Sequence, residues 1–414
     1  MTELPTLSAM LAAITRLEPL LRAQMPAGRR AARLPAPVVE QLLRLGLFRL
    51  WIPRRYGGLE MSLPAALAIH EAVAQLDGST GWAVMIGSGG GLFAAWLAPP
   101  VAGRLFGAAD ALVAGSGAPN GSAARVPGGF RVTGRWRYAS GADHASVFTA
   151  NCRVTEPGSN PAPLIRAMAF APADVKIHRT WDSSGLRATG SHDIEVRDVF
   201  VPEEMSFSVF TDPVLENGPL YRLAFATLTE LPVSAVALGI ARRACEEFAA
   251  LAGSKCAPGS TVALLGLDLV QAALHRARDV VANAAREQHA QAAEVWEEAL
   301  AGIRPAPHVG AARTVACVRR VRGLVTAVGD LVPLAGMNAL QREDPFALAW
   351  QDLNAAAAHY SVSPLQLAEQ DGRDIAARGR SYDLPVASSP LASCDAPSPT
   401  GNGAAAARPP DSGE

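Results

Sequence analysis

The segment Gly134-Arg135-Trp136-Arg137-Tyr138-Ala139-Ser140-Gly141-Ala142-Asp143-His144-Ala145 decides how the rest of the chain is read. It follows Gly128-Gly129-Phe130-Arg131-Val132-Thr133, where apolar and polar residues alternate after a glycine turn. Alternation with a period of two sets one face of an extended chain against a core, so the two runs predict a hairpin leading into a strand. Ser140 and Gly141 interrupt that strand, and a small hydroxyl beside a glycine lets a flat ligand approach the backbone closely. Trp136 and Tyr138 offer aromatic surface next to the interruption.

Working outward, residues 111–215 keep this texture of short strands punctuated by glycine and proline, which predicts a small antiparallel barrel or sandwich. Val113–Gly117, Phe130–Val132, Trp136–Ser140, Val147–Val154, Met168–Phe170, Lys176–Thr180 and Ile194–Val201 are the strand candidates, with a surface loop over Asn151–Pro163. Residues 1–110 carry helical spacing instead, as in Leu7, Met10, Leu11, Ile14, Leu17 and Leu21. His70, among apolar residues of one such helix, reads as a core histidine. Helical spacing returns over 216–383 in long alanine-rich segments, Leu231–Ala252, Thr261–Ala301, Gly310–Leu334 and Pro345–Ala358, as helices of a bundle would show. Residues 384–414, rich in Pro, Ser, Ala and Gly, are expected to be disordered.

The fold class that follows is α+β and mostly α: helices, then a small antiparallel β-barrel, then a four-helix bundle. With 37 basic against 38 acidic residues and a net charge of −1, nothing in the charge balance favours nucleic acid or an anionic membrane. The cysteines Cys152, Cys245, Cys256, Cys317 and Cys394 form no CxxC pair. That pattern argues against a disulfide framework or structural metal and for a reducing cytoplasm. Acids at Glu3 and Glu18 and the lack of a long apolar run exclude a secretory signal at the N-terminus. Trp82–Ala98 is uncharged, yet its glycines, Gly87 to Gly91 above all, make it a buried helix or helix pair rather than a membrane span.

Four segments then appear in order. Phe48-Arg49-Leu50-Trp51-Ile52-Pro53 comes before Tyr56-Gly57-Gly58; Asp77-Gly78-Ser79-Thr80-Gly81-Trp82 follows; then the opening segment; then Trp181-Asp182-Ser183-Ser184-Gly185-Leu186-Arg187-Ala188-Thr189-Gly190-Ser191-His192-Asp193. In this order and spacing the chain resembles the acyl-CoA dehydrogenase superfamily from about Leu34 to Ala377. The resemblance is closest to its flavin-dependent monooxygenase branch, typified by two-component hydroxylases of p-hydroxyphenylacetate and of steroid-derived phenols. It implies a flavin between barrel and bundle, and a homo-oligomer, dimer or tetramer.

It also implies roles. Ser116-Gly117-Ala118-Pro119-Asn120-Gly121-Ser122 matches the turn over the flavin's pyrimidine edge, with Ser116 and Gly117 at the cofactor. Ser140 stands where the family sets a hydroxyl against flavin N5, flanked by Trp136, Tyr138 and Gly141. Arg187, Thr189 and Ser191 resemble the family's ligand-contacting turn; alone, Arg187 would be a surface charge. His144, four residues beyond Ser140, shares its face about 13 Å along if the strand continues, and either lines the site or fixes the barrel wall.

The informative departure lies near Trp350-Gln351-Asp352. In the common dehydrogenases a glutamate base follows that aspartate by about eight residues; here the position holds Tyr360, beside His359, and no carboxylate occurs from Leu353 to Leu367. A phenol with a pKa near ~10 is a poor base for an α-proton, whereas an imidazole exchanges protons near neutrality. Catalytic roles are therefore expected for His359, Ser140 and His144. The resemblance then implies a monooxygenase that uses reduced flavin and O₂ to oxygenate a small aromatic or polycyclic substrate through a C4a-(hydro)peroxyflavin. No nicotinamide-binding unit is visible, so a separate flavin reductase is implied. The family's adenine-binding Arg-x-x-x-Phe-Gly is not found after Leu251, which leaves reduced FMN and FAD both open. The alternatives are an FAD-dependent acyl-CoA dehydrogenase, with Glu230, Glu246 or Glu247 as base and an electron-transfer flavoprotein as partner, and a flavin-free scaffold.

Overall fold

The computed structural model describes residues 5–155 and 164–367. The expected disordered tail therefore lies outside the described residues, as does the end of the expected bundle. The architecture is mostly helical around one sheet. Six helices come first: α1 (Leu7–Thr15), α2 (Glu18–Ala31), α3 (Ala36–Arg44), α4 (Leu63–Leu76), α5 (Gly78–Gly90) and α6 (Pro99–Phe106). Side-chain caps start several of them, since the first N–H groups of a helix have no partner within it. Thr6 accepts from Ala9 N–H at 3.2 Å before α1, and Asp77 from Thr80 N–H at 2.8 Å before α5. Trp82–Ala98, the uncharged stretch, forms most of α5 and a 3-10 segment and is largely buried.

Seven strands follow: β1 (Val113–Val126), β2 (Gly129–Ala139), β3 (Val147–Thr155), β4 (Leu164–Phe170), β5 (Lys176–His178), β6 (His192–Pro202) and β7 (Ser206–Phe207), in the sheet order β5-β6-β2-β1-β3-β4-β7. The hairpin predicted at Gly128-Gly129 joins β1 to β2. One correction concerns pairing, because β1 and β3 run parallel. The chain leaves β2 through a 3-10 turn at Ala142–His144 and returns on the other side of β1. Two further corrections concern extent: β1 continues to Val126, and β3 covers Asn151–Thr155, where a loop was expected.

The sheet curls around its own core. Trp136 on β2 and Phe170 on β4 are separated by two strands, a distance of roughly 14 Å in a flat sheet at about 4.8 Å per spacing. Their ring centroids are 6.1 Å apart. Phe130, Phe148 and Met168 fill the same interior.

The last helices are α7 (Thr227–Ser254), α8 (Asp268–Ala301), α9 (Pro307–Gly329), α10 (Val332–Ala335) and α11 (Pro345–Ala357). The predicted helix over Thr261–Ala301 starts late, at Asp268, after a 3-10 turn at Leu264–Gly266. α7 is buried along most of its length and lies among α4, α5, α8, α9 and α11. It thereby joins the two helical regions. α9 is long and apolar enough by composition to cross a bilayer, but it packs here against α7 and α8.

Candidate active site

A cavity of about 340 Å³ opens where the three regions meet. Met85 and Ile86 of α5, Gly115 to Gly117 of β1, Thr149 to Asn151 of β3, Ile165 and Ala167 of β4, Leu228 to Val233 of α7, and His359 line it. Phe93, Phe207, Phe210 and Phe225 supply aromatic surface. Among the lining residues no Asp, Glu, Lys or Arg occurs, and His359 is the only side chain that titrates near neutral pH.

His359 follows the end of α11 and caps a 3-10 turn at Tyr360–Val362 by accepting the Ser361 N–H on Nδ1. A backbone amide can only donate, so this contact leaves the proton of the neutral ring on Nε2. The Ser361 hydroxyl lies 2.8 Å from Nδ1 and adds a second donor. Burial holds the imidazole below its usual pKa. At neutral pH His359 is therefore a neutral donor through Nε2. Tyr360, where the dehydrogenase base would fall, is largely exposed and absent from the lining.

Ser140 is buried one ring behind this wall. Its Oγ accepts the Trp82 indole N–H at 3.0 Å, and Trp82 meets His359 edge-on with ring centroids 5.4 Å apart. Ser140 Oγ also lies 2.7 Å from Ser191 Oγ, which lies 2.6 Å from Thr189 Oγ1, which donates to Leu186 O at 2.9 Å. The two ends fix the polarity of this chain, since an indole only donates and a carbonyl only accepts. Protons run from Trp82 to Ser140, to Ser191, to Thr189, to Leu186. The hydrogen of Ser140 is committed to Ser191, and one lone pair remains.

The other expected residues divide. Ser116 and Gly117 line the cavity. Between Ser116 and Gly121 the β1–β3 register shifts, so that residues 117–120 stand against Asn151 alone, and Asn151 Nδ2 donates to Gly117 O at 2.8 Å. Gly141, at φ +79°, ends β2 and donates to Thr189 O at 2.8 Å, which brings the 187–191 segment against Ser140.

Four expectations are corrected. Trp136 is fully buried in the sheet interior, its indole donating to Asn151 O at 2.8 Å, and does not reach the cavity. Tyr138, at φ +69°, is 60% exposed and turned outward beside Trp181. Alternation fails for His144 because Gly141 breaks the strand; its Nε2 pairs with Leu34 O at 3.0 Å and ties the sheet to the first helices. Arg187 reaches Glu343 at 3.5 Å and also stays outside the cavity. The core assignment of His70 agrees with its full burial and its 2.9 Å contact to Ser88.

The residues fit a flavin ring. A Cβ placed on Gly117 or Gly89 would meet nothing within 4 Å, so the space there is open, and residues 117–120 are free of regular ladder pairing to β3. Uncharged apolar walls and backbone donors are what an isoalloxazine requires.

Two family models match the chain: the acyl-CoA dehydrogenase N-terminal domain over residues 13–97 and the acyl-CoA dehydrogenase C-terminal domain over 231–364, together a little over half of it. The chain belongs to the acyl-CoA dehydrogenase superfamily. Within this superfamily it is 28% identical over 338 residues to indole-3-acetate monooxygenase of Pseudomonas putida, covering 82% of this chain and 86% of that one. It is 28% identical over 377 residues to HsaA of Mycobacterium tuberculosis, a flavin-dependent monooxygenase oxygenase subunit, covering 86% and 92%. Of solved structures, HsaA from M. tuberculosis superposes with a TM-score of 0.80 at 25% identity over 90% of this chain and 100% of that one. XiaF from Streptomyces, in complex with FADH₂ and glycerol, superposes with a TM-score of 0.82 at 24% identity, covering 89% and 96%, and supports the fold.

Trp82, Trp51 and Asn151 escaped sequence reasoning as site residues. Trp82 ends the Asp77-Gly78-Ser79-Thr80-Gly81 run, and an aromatic with a polar handle closing a glycine-bearing helix start was the available signal.

Proposed function

We propose that the protein is the oxygenase component of a two-component flavin-dependent monooxygenase. It receives reduced FMN or FAD from a separate reductase and oxygenates a small aromatic substrate held in the cavity. The observation that carries this reading is the cavity lining: no carboxylate, and one neutral histidine. Desaturation of a thioester needs a base over the α-carbon. Glu230, the buried candidate, turns instead into the bundle, where Thr314 Oγ1 donates to it at 2.9 Å, while Glu246 and Glu247 pair with Gln75 and Arg243. None of the three lines the cavity.

Bound there, a reduced flavin supplies two electrons to O₂, so that one oxygen atom enters the substrate and the other leaves as water. The chain's own groups do the rest. Backbone amides of residues 117–120 would hold the ring's polar edge, with Ser116 and Gly117 beside it. Ser140 retains one lone pair and so is suited to accept from a ring N–H. Phe93, Phe207 and Phe225 exclude water, and His359 presents its Nε2 proton as a hydrogen-bond donor. The four described cysteines are unpaired, which supports a cytoplasmic setting. Leu269, Leu300 and Ile303, exposed on or beside α8, support a homo-oligomer built through the bundle.

The test is rapid mixing of the protein with reduced FMN or FAD and oxygen. A transient absorbance that outlives free flavin oxidation, with an oxygenated aromatic product, is the expected result. Oxidation at the free-flavin rate without product would overturn the proposal. Bleaching of tightly held oxidised FAD by an acyl-CoA would replace it with the dehydrogenase.

A further inference from the structure

We infer that the cavity selects an uncharged aromatic substrate and rejects aryl carboxylates. The inference rests on the monooxygenase reading for the chemistry but on the lining alone for the selection. An organic anion entering a low-dielectric site must find a cation or lose its hydration uncompensated, a penalty of several kcal/mol. The lining supplies no Lys or Arg.

The nearby cations are turned away. On β4, Ile165 and Ala167 face the cavity, so by strand alternation Arg166 between them faces the other side. There it pairs with Asp212 at 2.9 Å and with Ser206. Arg222 spends its donors on the carbonyls of Ala299 and Asn217. On α7 the lining stretch ends at Val233, well before the first arginine at 242.

What remains suits a neutral ring system. Phe93 lies 5.0 Å from Phe207 and 6.5 Å from Phe225, and Phe225 lies 5.8 Å from Phe210, so four rings make one aromatic wall. Facing polar groups are hydroxyls, an amide and the His359 imidazole, which can address a phenol, an indole N–H or a ring heteroatom but cannot neutralise a carboxylate. The volume, about 340 Å³, is a little over twice the roughly 150 Å³ of a cavity that takes benzene, which sets the scale at one or two rings.

The experiment is calorimetric titration of the full chain with indole, indole-3-acetate and the methyl ester of that acid, with and without anaerobically reduced FMN. Indole and the ester should bind at least roughly tenfold more tightly than the acid. Ile165, 36% exposed at the rim, tolerates a cation, so Ile165→Arg should tighten the acid while leaving the ester unchanged. Equal or tighter binding of the acid by the native protein overturns the inference, and so does binding of none of the three. Binding of indole and ester by a protein that never alters the oxidation of reduced flavin would instead remove the monooxygenase reading and leave the selection standing.

Discussion

Replacing Asp352 by asparagine should change how stability depends on pH, not merely shift it. Asp352 lies on α11, buried, and its Oδ1 accepts the Leu186 N–H at 2.6 Å. That bond ties the 186–191 segment, and with it the hydroxyl chain at Ser140, to the helix that precedes His359. Burial first, and the neighbouring Asp77 second, push the Asp352 carboxyl up to about 7, against the Leu186 bond and the arginines 29 and 187. A raised acid binds more protons folded than unfolded. Its favourable contribution is complete below the unfolded value of 3.8 and is lost as pH rises through about 7. Across that window the native protein should lose about 1.4 kcal/mol per pH unit from this group, on the order of 4 kcal/mol in all.

Other groups titrate as well. Glu230 acts in the same sense, raised to about 7 by burial. The buried histidines 70, 144, 192 and 359 are depressed and act oppositely, adding stability as pH rises to their unfolded value near 6.5. Subtracting native from variant stability at each pH cancels all of these. The asparagine keeps an acceptor for Leu186 N–H and mimics the neutral acid. Urea unfolding of both proteins from pH 5 to pH 8 should show Asp352→Asn near native at pH 5 and more stable by roughly 2–3 kcal/mol at pH 8. A constant difference across that range would refute the buried, proton-binding Asp352.

Ser191→Ala cuts the hydroxyl chain at its centre and strands the Ser140 hydrogen; urea denaturation should show a loss of about 1–3 kcal/mol, and a loss within error of zero would mean the chain is not formed. Ser140→Ala should raise the share of reduced flavin oxidised without product, measured as hydrogen peroxide released per flavin, whereas unchanged coupling would separate Ser140 from the cofactor. His359→Ala should lower product formation. Because burial holds His359 neutral, the native rate should be flat from about pH 7 to 9, and a loss of rate through that range that vanishes in the variant would contradict the assignment. Glu230→Gln should leave the oxygenation rate unchanged while stabilising the protein at pH 8, and a large fall in rate would return Glu230 to the candidate bases.

The helices and the hairpin were legible because their information is local. Spacing of apolar residues placed α7 and α11 within a few residues, and Gly128-Gly129 marked the β1–β2 turn. Where local pattern was extrapolated, geometry intervened. The positive φ of Gly141 ended β2 and removed His144 from the Ser140 face, and the curl of the sheet drew Trp136 into its interior. A period-two rule assigns a face only while the strand lasts, and it does not say which face of a curled sheet is the concave one. The absence of a carboxylate after Asp352 was readable as a count along the chain, but that Glu230 turns toward Thr314 depended on how α7 packs against α9.

The site itself could not be read from one segment because one contact line crosses all three regions. Trp82 comes from α5, Ser140 from the end of β2 and His359 from the turn after α11, joined by a 3.0 Å hydrogen bond and a 5.4 Å ring contact. Each group is ordinary alone: a helix tryptophan, a strand-end serine, a cap histidine. Docking orders them, and Asp352 bonding to Leu186 is a second thread between the same two distant regions. A disturbance at Asp352 therefore acts first on the 186–191 segment, then on the hydroxyl chain, and only through Trp82 on His359. Mutational effects should weaken along that sequence, so that Asp352 governs stability more than turnover and His359 turnover more than stability.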